Sequence, residues 1–331
     1  MEPETPEIPP AIPQAPEASV VRRPNPIFMN DRGLRAGWRL LIYCAMIGLP
    51  VLILRLIARL ANGGAPAAPR TTPQMSEVIM TAIQGGAELA LFLLLLLFAW
   101  IMSRIEHRKV GAYGLPLQKS LFPSFGIGYL LWGFLPLAFL LLILRAVHVF
   151  YFGEASQLNA HIFGWGILWG FVFLFVGFFE EFCFRGYFLY TLADGIGFWP
   201  AAIIQAILFA GVHMGNGGET KVGILATSFF ALFAAATLWR TGNLWLAVGA
   251  HAGWDWGQSY FFGVNDSGFQ APGHLFNPKY AHAPDWLSGG SVGPEGSVVT
   301  LILWVLLFLV VVLFLKKRPQ PALEIVEAPK Y

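Results

Sequence analysis

The sequence predicts an all-α fold: a polytopic bundle of about eight membrane-spanning helices, with both termini on the cytoplasmic side. Two features of the chain carry that prediction. Its 331 residues are 56% hydrophobic and only 12% charged, against about 25% charged in an ordinary soluble domain. Apolar runs of about 18–20 residues also recur along most of its length, which is what crossing a ~30 Å hydrocarbon layer requires. A soluble enzyme is excluded on these grounds. The net charge of +2 is too small to point to nucleic acid.

Five segments follow in order. Residues 1–36 form a tail, with eight prolines before residue 27 and almost no large apolar side chains. Such a composition cannot bury enough surface to fold, and it has no basic stretch followed by an apolar one, so neither a domain nor a cleavable signal is expected there. Residues 37–160 hold the first three helices, centred on 40–54, 89–101 and 125–147, with a Gly/Ala/Pro-rich loop at 62–73. Residues 161–262 hold the core helices, at 162 onward, 198–212, 222–239 and 244–262. Residues 263–297, rich in Gly, Pro, Asn and aromatics, read as an external loop able to fold over a site. Residues 298–331 hold the last helix and a basic tail.

The basic residues orient these helices. Arg22, Arg23, Arg32, Arg35 and Arg39 precede the first; Arg104, Arg108, Lys109 and Lys119 lie between the second and third; Arg240 and then Lys316, Lys317 and Arg318 follow the sixth and the last. Of the opposite loops, only those with Lys221 and Lys279 carry a lysine. An excess of Lys and Arg marks the cytoplasmic side.

The chemistry centres on Phe178-Phe-Glu-Glu-Phe-Cys-Phe-Arg-Gly. No charge occurs from Ile162 to Phe179, and then Glu180, Glu181 and Arg185 come together. A charge near the bilayer centre costs roughly 2.5–3.5 kcal/mol on insertion scales, so three of them must pair or face a polar cavity. Glu181 and Arg185 are i, i+4 neighbours and form an internal ion pair. Glu180 points about 100° away and leaves one carboxylate free. A second motif, Phe209-x-x-x-His213, ends the fifth helix, where Asn216 reads as a capping or loop residue. A third, His251-x-x-x-Asp255, puts imidazole and carboxylate on one face of the seventh helix, as a buried hydrogen-bonded pair or a shared ligand set. Carboxylates and neutral imidazoles converging in a bundle can bind and deprotonate a water. Gly164, Gly166, Gly170 and Gly177 are expected to let the helices approach closely. Only two cysteines occur, Cys44 and Cys183. No Cys-x-x-Cys metal spacing or disulfide framework exists, and Cys183, far from any histidine in sequence, reads as a packing residue.

In this order and spacing, Glu-Glu-x-x-x-Arg-Gly, Phe-x-x-x-His and Thr-Gly-Asn-Leu-Trp…His-x-x-x-Asp resemble the CPBP family. These are the intramembrane CAAX-processing proteases and their bacterial relatives implicated in bacteriocin processing and self-immunity. The resemblance spans about residues 168–258. It implies hydrolysis of a peptide bond in a membrane-associated or CAAX-like substrate, with Glu180, Glu181, Arg185, His213, His251 and Asp255 as the catalytic set. Glu180 is then the base that activates water with His213, Glu181 and Arg185 form the supporting ion pair, the two glutamates being able to exchange these roles, and His251 with Asp255 stabilises the intermediate. Zinc or another divalent metal held by Glu180, His213, His251 and Asp255 would make it a metalloprotease, and a metal-free route is equally consistent. Relatives commonly have asparagine at the last position. An ionised Asp255 would repel an oxyanion, so it must be protonated, orient His251 or hold a metal. The alternative on the same fold is a non-proteolytic scaffold, immunity protein or transporter, though no internal repeat favours a transporter. The expected location is the bacterial cytoplasmic membrane, and the expected partners are lipid and a membrane-associated peptide.

Overall fold

The computed structural model describes residues 27–30, 33–61 and 75–317. Residues 1–26 of the Pro-rich tail, the loop at 62–73 and the end of the basic C-terminal tail lie outside the described residues, whereas the last part of the expected tail is ordered into backbone pairing, Met29 opposite Leu34. The strands β1 (Met29–Asn30) and β2 (Gly33–Leu34) form a small hairpin ahead of α1 (Ala36–Ala61), which is followed by α2 (Glu77–Ile105). The third helix is continuous from Leu121 to Ala146, with α3 (Leu121–Ile127) and α4 (Leu135–Ala146) joined by a π-helical segment, Gly128–Phe134. Then come β3 (Phe150–Ala155), α5 (Ala160–Arg185), α6 (Tyr187–Ile196), α7 (Phe198–His213), α8 (Lys221–Thr241) and α9 (Trp245–Trp256). The chain closes with β4 (Phe276–Tyr280), α10 (Asp285–Ser288) and α11 (Val298–Phe314).

The expected helical bundle is therefore present. Among the described residues, five helices are long and apolar enough to cross a membrane, beginning at Ala36, Glu77, Leu121, Ala160 and Lys221, and α7 and α11 are shorter apolar helices. Their ends follow local rules. Asn159, Thr220 and Ser297 cap α5, α8 and α11 by accepting from Ile162 N, Gly223 N and Val299 N, which satisfies donors that a helix start leaves free. Gly242, at φ 74°, ends α8 in a left-handed turn.

The expected helix at 244–262 proves to be the centre of the molecule. Every residue of α9 from Trp245 to Asp255 is buried, and a π-helical segment, Gly257–Phe261, extends it. Its closest neighbour is α3 with the π segment that follows. A Cβ added to Gly249 or Gly253 would stand 2.2 Å from the carbonyl oxygen of Phe125 or Tyr129, and one on Gly128 or Gly133 would stand 2.2 Å from that of Leu246 or Ala250. This seam differs from the glycines expected to matter. Gly166 and Gly177 of α5 do meet Tyr260 and Val248 closely, whereas Gly164 has nothing within 4 Å and Gly170 makes ordinary contact. The spacing of glycines marks candidate approaches, but which helix arrives is decided by tertiary packing.

Two further features depart from the all-helical reading. Residues 263–297 are not structureless: β4 pairs antiparallel with β3, Phe150 opposite Tyr280, and Trp169 Nε1 of α5 donates to Pro272 O at 2.9 Å. At the other end of the bundle, Arg39 of α1 donates to Glu106 at 2.6 Å and to Asp194 of α6 at 3.0 Å. Arg108 reaches the same Asp194 at 3.1 Å, and Tyr187 OH donates to Glu106. This polar latch ties α1, the end of α2 and α6 together.

Candidate active site

The site is built around α5. Glu181 and Arg185 lie one turn apart with side chains 0% exposed, Arg185 Nη1 donating to Glu181 Oε1 at 3.1 Å. The same oxygen accepts from His251 Nδ1 of α9 at 2.9 Å. One carboxylate thus joins two helices where Gly177 lets α5 approach the Val248 carbonyl. The Arg185 guanidinium lies 4.2 Å from the centre of the Phe209 ring and 5.8 Å from that of Phe230, so aromatic faces replace part of its lost hydration. The pairing remains incomplete. Glu181 Oε2 and Arg185 Nε and Nη2 are buried with no hydrogen-bond partner among the described residues.

Glu180 turns away from this pair, as its helical position requires, into a cavity of about 280 Å³. Its side chain is 25% exposed, and its Oε2 stands 3.7 Å from His251 Nε2. Asp255 Oδ2 stands 3.5 Å from the same nitrogen. Since His251 Nδ1 gives its proton to Glu181, Nε2 approaches Glu180 and Asp255 favourably only when it, or one of those carboxyls, carries a proton. His213 Nδ1 donates to the Phe209 carbonyl at 2.8 Å. A carbonyl only accepts, so in the neutral ring the lone pair sits on Nε2.

The residues expected from the sequence therefore divide. Glu180, His213, His251 and Asp255 line one cavity, and Glu181 with Arg185 stand behind it and fix His251. The site holds residues that sequence reasoning missed. Gln84 and Glu88 of α2 form part of one wall, and Asp266, Ser267, Phe269 and Glu295 line the cavity from the 263–297 segment. Glu88 carried a usable signal, a single carboxylate inside an apolar helix. Centring the second span on 89–101 passed over it, although α2 begins at Glu77. Asp266 and Glu295 have no local signature, because only the folding of the loop brings them in.

The roof is tied down by polar contacts. Ser259 Oγ donates to Asp266 Oδ2 at 2.8 Å, the Ser267 N–H donates to Glu295 Oε1 at 2.6 Å, and Gln258 Nε2 reaches Glu295 Oε2 at 3.3 Å. Burial pushes the Asp266 carboxyl up to about 6 against the opposing Ser259 hydrogen bond. Burial, and then the nearby Asp266 charge, push Glu295 up to about 8.

Among the described residues, no three His, Cys, Asp or Glu side chains are gathered to hold one metal ion. Both Nδ1 atoms are held by acceptors, Glu181 and the Phe209 carbonyl, an arrangement that leaves Nε2 as the nitrogen able to bind an ion. An ion shared by Glu180, His213, His251 and Asp255 would need these four side chains to draw closer together.

The order and geometry of these three helices can be set against known proteins. Residues 162–257 match the model of the family described as type II CAAX prenyl endopeptidase Rce1-like. The resemblance drawn from the motifs holds. The Rce1-like segment begins near the start of α5, ends just past α9, and contains every site residue expected from the sequence. At the level of the family it is similar to a CAAX-type intramembrane protease, which fits the apolar helices and implies a bilayer and a membrane-associated substrate. No curated protein and no solved structure matches the chain.

Proposed function

We propose that the protein is an intramembrane endopeptidase that hydrolyses a peptide bond through water activated by Glu180. The observation that carries this reading is the division of labour between adjacent glutamates. Glu181 is fully buried and committed to Arg185 and His251, while Glu180 reaches the cavity beside His251 without a hydrogen-bond partner on its Oε2. A structural ion pair needs only the first carboxylate.

In the proposed reaction, Glu180 accepts a proton from water as its oxygen attacks the substrate carbonyl carbon. His213 Nε2, with its lone pair free, orients that water. The carbonyl oxygen becomes the oxyanion of a tetrahedral intermediate, and His251, protonated at Nε2, donates to it. Glu181 holds the imidazole by Nδ1 and balances its charge, and Arg185 keeps Glu181 ionised. Asp255 steers Nε2 from the far side. The intermediate collapses as the C–N bond breaks, and the proton on Glu180 passes to the leaving amine. We further propose a bacterial cytoplasmic membrane location with both termini inside, supported by the distribution of Arg and Lys.

The test is cleavage of membrane-presented peptides by purified protein, wild type against Glu180→Gln, with and without chelator and metal restoration. Glu180→Gln should lose at least about 100-fold in rate while unfolding at the wild-type temperature. Equal rates in the two proteins would remove Glu180 from the mechanism. Loss of activity on chelation, restored by one metal, would require donors to rearrange around an ion. Well-folded wild type that cuts nothing favours a scaffold or transporter.

A further inference from the structure

Glu88 takes no part in those steps. It sits within the apolar helix Glu77–Ile105, where an ionisable group is strongly disfavoured unless it is paired or faces a polar cavity. Among the described residues it has neither a hydrogen-bond nor an ion-pair partner. Its side chain lines the cavity, near enough to Glu180 for the two carboxylates to repel. Gly85, one turn earlier, lets α2 lie close against α5, since a Cβ at that position would stand 3.0 Å from Val172 Cγ2.

The remaining titratable lining is mostly acidic. Asp255 and Asp266 join Glu88 and Glu180, Glu295 holds its proton near neutrality, the imidazoles of His213 and His251 stand opposite, and among the described residues no lysine or arginine lines the cavity. Asp255 is only 8% exposed, and its one polar side-chain contact among the described residues is His251 at 3.5 Å. A cation placed among these groups relieves their repulsion, whereas a substrate carboxylate adds to it.

We propose that the cavity selects a peptide segment with a lysine or arginine beside the scissile bond, and that Glu88 is the residue that reads this charge. The proposal rests on the endopeptidase reading of the site and names its substrate class. Glu88 acts on substrate choice, and Glu180 acts on the bond.

The test uses full-length protein in nanodiscs and membrane-anchored peptides that differ in a single flanking residue, Lys, Gln or Glu. Each peptide is made in a cleavable form and as an uncleavable reduced amide. Wild type should bind the Lys reduced amide at least tenfold more tightly than the Glu one. Glu88→Gln should shrink that ratio, and Glu88→Lys should reverse it. Should Glu88→Lys fail to fold, Glu88→Gln, which keeps the side-chain shape, decides. Equal binding of the three peptides, binding of none, or an unchanged ratio in Glu88→Gln would overturn the proposal. Cutting of the cleavable forms is scored separately. Selective binding without cutting sinks the endopeptidase reading and upholds the charge preference. Cutting without selectivity does the reverse.

Discussion

Two neighbouring glutamates of one helix, Glu180 and Glu181, do opposite things because the helix turns about 100° between them. The consequence is measurable. Arg185→Met leaves Glu181 buried with His251 as its remaining donor, and breaking a buried pair in this way costs roughly 3–5 kcal/mol. Denaturation in detergent should show that loss, and the double variant Arg185→Met, Glu181→Gln should recover part of it. Glu180→Gln should change stability by less than about 1 kcal/mol. Much of this scale was legible in the sequence. The i, i+4 pair and the freedom of Glu180 follow from helix periodicity alone. The bond from His251 to Glu181 was not legible, because it joins helices far apart in the chain. The sequence leaves Asp255 open between being protonated, orienting His251 and holding a metal; it stands 3.5 Å from His251, and the shorter contact of that ring, at 2.9 Å, is to Glu181.

At the scale of elements, the glycine seam between α9 and the π segment sets the position of the His251 helix. Gly253→Ala would drive a Cβ to 2.2 Å from the Tyr129 carbonyl, a backbone atom that cannot swing aside. Overpacking of this kind costs typically about 1–3 kcal/mol. Gly164→Ala, with nothing within 4 Å, should be neutral or slightly stabilising, since alanine favours a helix over glycine. Thermal unfolding of the two variants side by side checks both. Helix existence was readable from apolar runs, and the starts of α5, α7 and α8 at Ala160, Phe198 and Lys221 lie close to the expected 162, 198 and 222, whereas α2 begins at Glu77, well ahead of the expected 89–101. The β3–β4 pair was not. Each strand is short, and its partner lies more than 100 residues away, so no local pattern announces it.

At the scale of the whole molecule, the 263–297 segment closes the cavity that the helices leave open. Its two buried carboxyls make that closure depend on pH. Glu295 at about 8 and Asp266 at about 6 lie above their unfolded values of about 4.3 and 3.9. A carboxyl raised by folding binds its proton more tightly in the closed form. It favours closure on the acid side and loses that contribution as pH rises through the folded value. For Glu295, which faces Asp266, Ser267, Gln258 and Glu219, the window runs from about pH 4 to about pH 8. Hydrogen exchange across the segment, corrected for intrinsic rates, should therefore quicken over that window. In Glu295→Gln the part that develops above about pH 6 should vanish, leaving the Asp266 contribution. A profile identical to wild type would show that Glu295 does not control the roof.

The latch at the opposite end has a mechanical meaning. Arg39 grips Asp194 on α6 and Glu106 at the end of α2, and α6 begins directly after Arg185 and Gly186. Tension on the chain ahead of Ala36 is therefore not dissipated in a loosely held first helix. It passes through the guanidinium into α6 and arrives at the turn that carries Arg185, so a pull on the amino-terminal segment is a pull on the base of the site.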